Sequence, residues 1–213
     1  MNVDLPTNRM LRSIWGTKAF PLPEQYQPLL VTPKYNYKFY AYCSLIYYIL
    51  EELVPKQYHE YKQKSTFDKT KHIKKFPTVG NRIKLSVDKS TRLQCIHLGS
   101  KRSMLGDLEE PLGNKLYPEL LDTIYEMMED CFPKFKFNQI LVNKSNIFRP
   151  HYDSRNKTTV SLIISLGDYE GDLHIEGEEF DTCLKPLIFN AKELMHSLPK
   201  LKGTKYSLLF YTI

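Results

Sequence analysis

The sequence predicts an α+β fold in which helices come first and an antiparallel β core follows. Three observations predict it: a long apolar run at 37–54, an amphipathic helical run at 117–132, and at least six short strand-like runs after Pro133. Short strands joined by turns that contain Gly and Asp are typical of a β-sandwich or β-barrel. We therefore expect an irregular N-terminal arm at 1–36 and one domain at 37–213.

The first part of the chain predicts the arm and two helices. Residues 1–36 carry several prolines and little hydrophobic periodicity, so they are expected to pack irregularly on the domain. Residues 37–54 are apolar over several turns, which predicts a largely buried helix that ends at Pro55. Residues 56–79 are polar and basic and fit either a loop or a helix. Residues 117–132 have apolar side chains at helical spacing and a proline near the first turn, which predicts an amphipathic helix.

The strands are predicted from short runs with alternating polarity. Two runs precede the amphipathic helix, "RIKLSV" and "RLQCIHLG", and a loop, "SKRSMLGDLEEPLGN", follows them. The later runs are "KFNQILVN", "TTVSLIISLG", "DLHIEG", "LKPLIFN", "KELMHSL" and "TKYSLLFYTI". The helices and a basic stretch are thus expected within 37–132, and the β core mainly within 133–213.

Composition predicts a globular intracellular protein. Hydrophobic residues make up 42% of the 213, with 15 Tyr and 11 Phe, which is enough for a sizeable core. No run of 18 apolar residues or apolar signal core is present, so we expect a soluble protein without a membrane partner. Nucleus and cytoplasm, a viral source and any oligomeric state all stay open. The four cysteines are widely spaced, which predicts free, mostly buried thiols in a reducing compartment.

The net charge of +6 is concentrated in one stretch. Between Lys56 and Arg102 there are 13 Lys and Arg residues against 3 Asp and Glu residues. Such a stretch can bind the phosphates of a nucleic acid, although a solvated surface is the commoner explanation. The candidates for phosphate contacts are Arg82, Lys84, Lys101 and Arg102.

Residues 147–156, "IFRPHYDSRN", hold a histidine and a carboxylate two positions apart. In an extended strand, side chains at i and i+2 point to the same face, so His151 and Asp153 can converge. A neutral imidazole and a carboxylate suit Fe(II), Mn(II) or Zn(II). The triplet alone is a weak signal, and a metal site needs a third ligand.

Two later histidines compete to be that ligand. His174 forms a second His-x-acid triplet with Glu176. His196 fits better, because it ends a predicted strand and is followed nine residues later by Lys205 on the last strand. Two histidines and one carboxylate on one face of an iron leave positions open for a bidentate substrate and O₂.

The last strand predicts an anion site. Alternation places Lys205, Ser207 and Leu209 on one face. A cation within an apolar strand is costly unless an anion pairs with it, so Lys205 and Ser207 are expected to hold a carboxylate. The alternative is that Lys205 reaches solvent near the strand end.

Taken together, His151-x-Asp153, His196 and Lys205-x-Ser207 resemble the pattern of the Fe(II)/2-oxoglutarate-dependent dioxygenases. The resemblance implies a double-stranded β-helix core of the jelly-roll, cupin-like type, with flanking N-terminal helices. It implies Fe(II) held by His151, Asp153 and His196, with O₂ as co-substrate. It further implies 2-oxoglutarate, whose distal carboxylate meets Lys205 and Ser207.

Within that superfamily the chain resembles the TET/JBP-like group, which oxidises methyl groups of pyrimidines in nucleic acid. The likeness lies within roughly 130–213, in "FNQILVNKSNIFRPHYDSRN", "SLIISLGDYEGDLHI", "PLIFNAKELMHSLP" and "GTKYSLLFY". It implies nucleic acid as the partner, with DNA favoured and 5-methylcytosine or thymine as the base. In duplex DNA that base must be flipped out of the stack. The group usually has Arg where this chain has Lys205, so the two-pronged contact of an arginine with a carboxylate is lost.

Further polar residues are candidates for contacts at such a site. Asn138 and Asn143 are candidates for a place beside the cofactor, and a turn or edge position is the alternative. Arg149 is a candidate for a substrate phosphate, and Tyr152 for stacking on a base, as is Tyr169. Asn156 follows the His-x-Asp triplet and is expected to brace that loop.

Two rival functions fit the same residues. One is a protein side-chain hydroxylase of the prolyl or lysyl type, which is compatible with Lys205 nine residues after His196. The other is a non-catalytic binding module on the same fold, which only the Lys205 departure supports. An intact set of three metal ligands argues against that module.

Overall fold

The protein is described here from a computed structural model. The described residues are 28–65, 76–79, 93–102, 107–154, 156 and 160–213, without the side chains of 63–65, 78, 79 and 102. Most of the predicted arm and the predicted strand "RIKLSV", with Arg82 and Lys84, lie outside them.

The first helical region continues past Pro55. Helix α1 spans Asn36–Tyr48, a π-helical segment spans Ile49–Leu53, and helix α2 spans Val54–Ser65. The prediction that the helix ends at Pro55 is therefore wrong. The π-helical segment runs directly into α2, because Val54 N–H donates to Ile49 O. Pro55 has no N–H to donate to the preceding turn, and Leu50 O accepts a hydrogen bond from the Tyr206 hydroxyl at 3.3 Å instead.

Helix α1 is buried on one side only, so the prediction of a largely buried helix is also wrong. Phe39, Cys43 and Ile46 join the main hydrophobic core. The exposed side chains on the rest of the helix are Tyr37, Tyr40, Leu45 and Tyr48. The helix packs as an outer layer, which leaves its far side at the surface although that side is apolar.

The predicted amphipathic helix is confirmed. Helix α3 spans Leu112–Leu116 and helix α4 spans Pro118–Cys131, with proline at the start of α4. The buried side chains of α4 recur every three or four residues: Leu120, Thr123, Ile124, Met127, Met128 and Cys131. This spacing forms one apolar stripe, which faces the core.

The cysteines and the helices bear on the predictions drawn from composition. The four cysteines are free thiols, and three of them are buried. Among the described residues, no helix combines the length and the apolar character that a bilayer span requires.

The described residues form fifteen strands, numbered in chain order. They are β1 Leu29–Leu30, β2 Thr78–Val79, β3 Leu93–Gly99, β4 Lys101–Arg102, β5 Leu108–Glu109, β6 Gln139–Lys144, β7 Phe148–His151, β8 Ser161–Leu166, β9 Tyr169–Glu170, β10 Leu173–Ile175, β11 Glu178–Phe180, β12 Leu187–Phe189, β13 His196–Leu198, β14 Lys202–Gly203 and β15 Tyr206–Tyr211. The large sheet has the order β1-β12-β8-β15-β6-β3-β2, and the small sheet has the order β11-β10-β13-β7.

The chain winds between these two sheets. Strand β6 lies in the large sheet, β7 in the small sheet and β8 again in the large sheet. The β10–β11 hairpin then lies in the small sheet. The later strands return to the large, small and large sheet as β12, β13 and β15. The pairings within both sheets are antiparallel. This winding is a double-stranded β-helix of the jelly-roll type, so the predicted fold class is confirmed.

Strand β15 separates the main core from an inner cavity. Tyr206, Leu208 and Phe210 belong to the core cluster shared with the helices. Lys205, just before the strand, and Ser207 within it line the cavity between the sheets. The predicted alternation along this strand is confirmed, because successive side chains of a strand point to opposite faces.

Candidate metal centre

Three side chains in the cavity converge on one point. The ligand atoms of His151, Asp153 and His196 all lie within 4.8 Å of one another. Asp153 stands between the histidines, with Oδ1 3.8 Å from His151 Nε2 and Oδ2 3.8 Å from His196 Nε2. These distances are too long for hydrogen bonds. Two imidazoles and one carboxylate that surround one point form a facial set suited to Fe(II).

The two histidines meet because their strands are paired. His151 ends β7 and lies directly opposite His196 on β13, and their ring centroids are 4.3 Å apart. His196 begins β13, so the prediction that it ends a strand is wrong. It enters the strand directly from a turn in which Leu194 N–H donates to Asn190 O at 2.8 Å.

Asp153 lies beyond the end of β7, in the following loop. The expectation that one continuous strand carries both His151 and Asp153 is therefore corrected. The backbone N–H of Asp153 donates to Ala191 O at 2.8 Å, and Asn156 N–H donates to Asp153 O at 3.0 Å. The segment before β13 thus places the carboxylate as well as His196.

Backbone carbonyls fix the tautomers of both histidines. His151 Nδ1 lies 2.7 Å from Arg149 O, and His196 Nδ1 lies 3.0 Å from Leu194 O. A carbonyl only accepts, so each Nδ1 carries the hydrogen and each Nε2 keeps its lone pair. Among the described residues, the buried His196 Nε2 has no hydrogen-bond partner. Burial lowers the pKa of His196, which favours the neutral form that binds metals. These residues therefore fit a metal ion.

The competing His174 lies outside this set. In the register of β10 and β13, His174 faces Ser197, and its neighbour Ile175 faces His196. His174 Nε2 lies 3.4 Å from Glu179 Oε1. Glu176 accepts a hydrogen bond from Met195 N–H, so both members of the second triplet have neighbours other than the triad.

Lys205 is enclosed in the same cavity. It is only 2% exposed, which rules out the alternative that it reaches solvent. Its Nζ lies 3.5 Å from Gly171 O and 4.5 Å from the centroid of the Tyr169 ring. Burial lowers its pKa to about 8, although Asp172 and Asp181 oppose that shift. A buried ammonium in this setting suits a carboxylate ligand.

A polar row crosses the cavity face of the large sheet beside Lys205. Ser207 lies directly opposite Asn143 on one neighbouring strand and Ser165 on the other. Ser165 Oγ lies 2.8 Å from Thr182 Oγ1 and 3.5 Å from Ser207 Oγ. The sequence alone does not indicate Ser165 or Thr182, because the register of β8 with β15 brings Ser165 to Ser207, and Thr182 reaches the row only through its contact with Ser165.

The next row along the same cavity face is apolar. Its members are Leu141, Leu209 and Ile163, which lie opposite one another on β6, β15 and β8. Between the triad and the polar residues at Lys205, the walls of the cavity are therefore mainly apolar.

Asn138 lies away from the cavity, contrary to its expected place beside the cofactor. Its Oδ1 accepts a hydrogen bond from Ile213 N–H at 3.1 Å. Asn143, by contrast, lines the cavity. Asn138 directly precedes β6 and is five positions from Asn143, and side chains an odd number of positions apart in an extended segment point to opposite faces.

The residues proposed for substrate contacts lie around the triad but are not gathered together. Asn156 is buried, with Nδ2 3.3 Å from Ser161 Oγ, and braces the loop as expected. Tyr152 is 52% exposed beside the triad, and Arg149 lies on β7. Tyr169 packs over Lys205, which removes its ring from the expected role of stacking on a base.

Little of the basic stretch falls within the described residues. Lys101 lies on β4, with Nζ 3.2 Å from Glu109 Oε2. The backbone of Arg102 belongs to the same strand, and its side chain is outside the described part, as are Arg82 and Lys84. The expected phosphate contacts of these four residues stay a prediction.

Comparisons with known proteins give similarity to solved structures alone. No protein-family model and no curated protein matches the chain. NgTET1 in complex with 5mC DNA is 15% identical, with a TM-score of 0.42. The match covers 55% of this chain and 60% of the NgTET1 chain, so it spans less than two thirds of the length of NgTET1. An oxidoreductase of the 2OG-Fe(II) oxygenase family from Burkholderia pseudomallei is 13% identical over 81% of this chain and 89% of that one, with a TM-score of 0.42. A Pseudomonas putida prolyl-4-hydroxylase is 12% identical over 81% and 99%, with a TM-score of 0.34.

The strand order and the site of the chain itself define its class. It is a double-stranded β-helix whose cavity holds a candidate His-x-Asp…His iron-binding triad.

Proposed function

We propose that this protein is an Fe(II)- and 2-oxoglutarate-dependent oxygenase that hydroxylates a C–H bond. One observation carries the proposal: the triad and the buried Lys205 line the same cavity. His151, Asp153 and His196 would hold the iron, and Lys205 with Ser207 would hold the distal carboxylate of 2-oxoglutarate. Bound Fe(II) with 2-oxoglutarate and O₂ supplies an oxidant that removes hydrogen from a C–H bond, and succinate and CO₂ are released.

The residues of the chain prepare the site in two ways. The carbonyls of Arg149 and Leu194 hold the two imidazoles so that Nε2 of each is available to the ion. The apolar walls exclude water, which strengthens the attraction between Lys205 and a carboxylate. The apolar side chains of the lining are Leu141, Phe148, Ile163, Leu173, Phe189, Leu198 and Leu209.

For the substrate we propose a methyl group of a pyrimidine base in nucleic acid, with DNA favoured and 5-methylcytosine or thymine as the base. The support is the TET/JBP-like pattern of the sequence, together with the basic stretch between Lys56 and Arg102. Contacts to phosphates would make binding sensitive to salt. They would supply affinity, and the cavity would supply the choice of base.

A protein side chain is the second candidate substrate. The observation that favours it is the spacing of nine residues between His196 and Lys205, which is compatible with the prolyl and lysyl hydroxylase branch. Turnover stimulated by a peptide and indifferent to DNA would select this candidate.

The test is succinate formation from 2-oxoglutarate with Fe(II) in air. The reaction is run with methylated DNA, unmethylated DNA and a pool of proline- and lysine-containing peptides. His151→Ala removes a proposed ligand, and His174→Ala is the matched control outside the triad. We expect succinate that rises with DNA, is retained in His174→Ala and is lost in His151→Ala. Equal succinate in wild type and His151→Ala would overturn the proposed triad.

A further inference from the structure

Asn146 holds a fixed orientation two residues after β6. Its Oδ1 accepts a hydrogen bond from Gln94 N–H at 2.9 Å, and its Nδ2 donates to Gln94 O at 2.8 Å. A backbone N–H only donates and a carbonyl only accepts, so the two ends of this amide cannot be exchanged. Asn146 is 7% exposed, and a flipped amide would lose both hydrogen bonds to the backbone of Gln94.

This lock also fixes Asn143. The Nδ2 of Asn146 donates a further hydrogen bond to Asn143 Oδ1 at 3.2 Å. The carbonyl end of the Asn143 amide is thereby occupied. Asn143 is 5% exposed and lines the cavity. The amide therefore offers donors, and not an acceptor, to the cavity.

The donor end of Asn143 belongs to the anion site. Asn143 lies directly opposite Ser207 in the register of β6 and β15, and Ser207 is two residues from Lys205. All three side chains line the cavity. A carboxylate at this end would meet an ammonium, a hydroxyl and an amide N–H.

We propose that Asn143 donates a hydrogen bond to the distal carboxylate of 2-oxoglutarate, and that Asn146 is the positioning residue that fixes this orientation. The inference rests on the proposed function, because it assigns residues to the co-substrate of that site. A free asparagine in this place would turn either its donor or its acceptor to the carboxylate. The Gln94–Asn146–Asn143 chain removes the acceptor orientation, which would repel the anion.

The test measures binding rather than turnover. Calorimetry under argon with Mn(II)-loaded protein gives the Kd of 2-oxoglutarate and of 2-oxopentanoate, which lacks the distal carboxylate. Asn143→Leu removes the donor at similar volume and should weaken 2-oxoglutarate binding by about 10-fold or more, since a hydrogen bond to a charged group is lost. Its effect on 2-oxopentanoate should be within about twofold.

The variant Asn146→Asp tests whether Asn146 affects co-substrate binding by orienting Asn143. It keeps the acceptor for Gln94 N–H and loses both donated hydrogen bonds, so it should weaken 2-oxoglutarate binding in the wild-type background. Its new negative charge also repels the co-substrate in both backgrounds, so in the Asn143→Leu background the weakening should be smaller than in wild type by the share that acts through Asn143. If Asn146→Asp does not fold, as judged by near-UV circular dichroism, Asn143→Leu with the two oxo acids decides alone.

The outcomes separate the two proposals. Wild-type protein that binds no 2-oxoglutarate would contradict the proposed function. Wild-type protein that binds it, with an unchanged Kd in Asn143→Leu, would overturn only the role of Asn143. Equal weakening by Asn146→Asp in both backgrounds would show that Asn146 does not act through Asn143.

Discussion

The Nζ atom of Lys205 lies 4.5 Å from the centroid of the Tyr169 ring, inside a cavity that leaves the lysine 2% exposed. An ammonium over an aromatic face is attracted by the partial negative charge of that face. The Gly171 carbonyl, 3.5 Å away, adds a second favourable contact. Burial nevertheless lowers the pKa of Lys205 to about 8, so its charge depends on what the cavity holds.

This depressed pKa predicts a pH dependence of stability. Between about pH 8 and the ordinary lysine value of 10.5, the unfolded chain binds more protons at Lys205 than the folded protein does. The contribution of Lys205 to the free energy of unfolding should therefore rise with pH across that window and stay constant below it. Urea unfolding of wild type and Lys205→Met at pH 7.5, 8.5 and 9.5 checks this. A difference between the two proteins that does not change with pH would contradict it.

The same group predicts a pH dependence of co-substrate binding. A carboxylate needs the protonated lysine, so the affinity for 2-oxoglutarate should fall above about pH 8, by at most about tenfold per pH unit. Calorimetry between pH 7 and pH 9 measures the fall. Lys205→Arg keeps a charge at all these values, so its affinity should be nearly flat over the range. A fall of the same size in Lys205→Arg would assign the effect to another group.

The ring of Tyr169 should contribute to holding the charge. Tyr169→Leu removes the aromatic face and should raise the Kd for 2-oxoglutarate at pH 7 by about 2- to 10-fold, the range expected for a cation–π contact. Tyr169→Phe keeps the face and is the matched control, with a Kd close to that of wild type. Binding that weakens equally in both variants would point to the hydroxyl group instead.

The triad should bind a metal ion that stabilises the fold. Anaerobic Fe(II) at about 100 times its Kd should stabilise wild-type protein by about 2.7 kcal/mol, because the ion binds only the folded state. The rise in Tm should be lost in His196→Ala and kept in His174→Ala, whose imidazole lies beside Glu179. Differential scanning calorimetry measures both, and a rise that survives in His196→Ala would exclude that residue as a ligand.

Two glycines with positive φ should differ in their tolerance of a side chain. At Gly167, with φ +114°, a Cβ would lie 2.2 Å from Thr204 O, whereas at Gly177, with φ +93°, it would meet nothing within 4 Å. Gly177→Ala therefore suffers backbone strain alone, at about 1–3 kcal/mol, and Gly167→Ala should cost clearly more. Urea unfolding compares them, and equal losses would mean that Thr204 moves freely aside.

Local patterns in the sequence determined several parts of the site. Spacing of three and four residues predicted α4, and alternation predicted that Lys205 and Ser207 share one face of the last strand. The His-x-Asp triplet named two of the three converging side chains. Each of these features depends on neighbours within a few residues, which the sequence lists directly.

Tertiary pairing decided the rest. The sequence already favoured His196 over His174, but only the register of β7 and β13 places His196 opposite His151. The position of Asp153 follows from the hydrogen bond that its N–H donates to Ala191 O, which joins the loop after β7 to the segment before β13. Likewise, Asn143 gains its orientation from Asn146, which is itself locked by a distant strand. Sequence alone determined which chemical groups this protein carries. The antiparallel register between distant strands decided which of these groups meet, because local periodicity holds no information on that register.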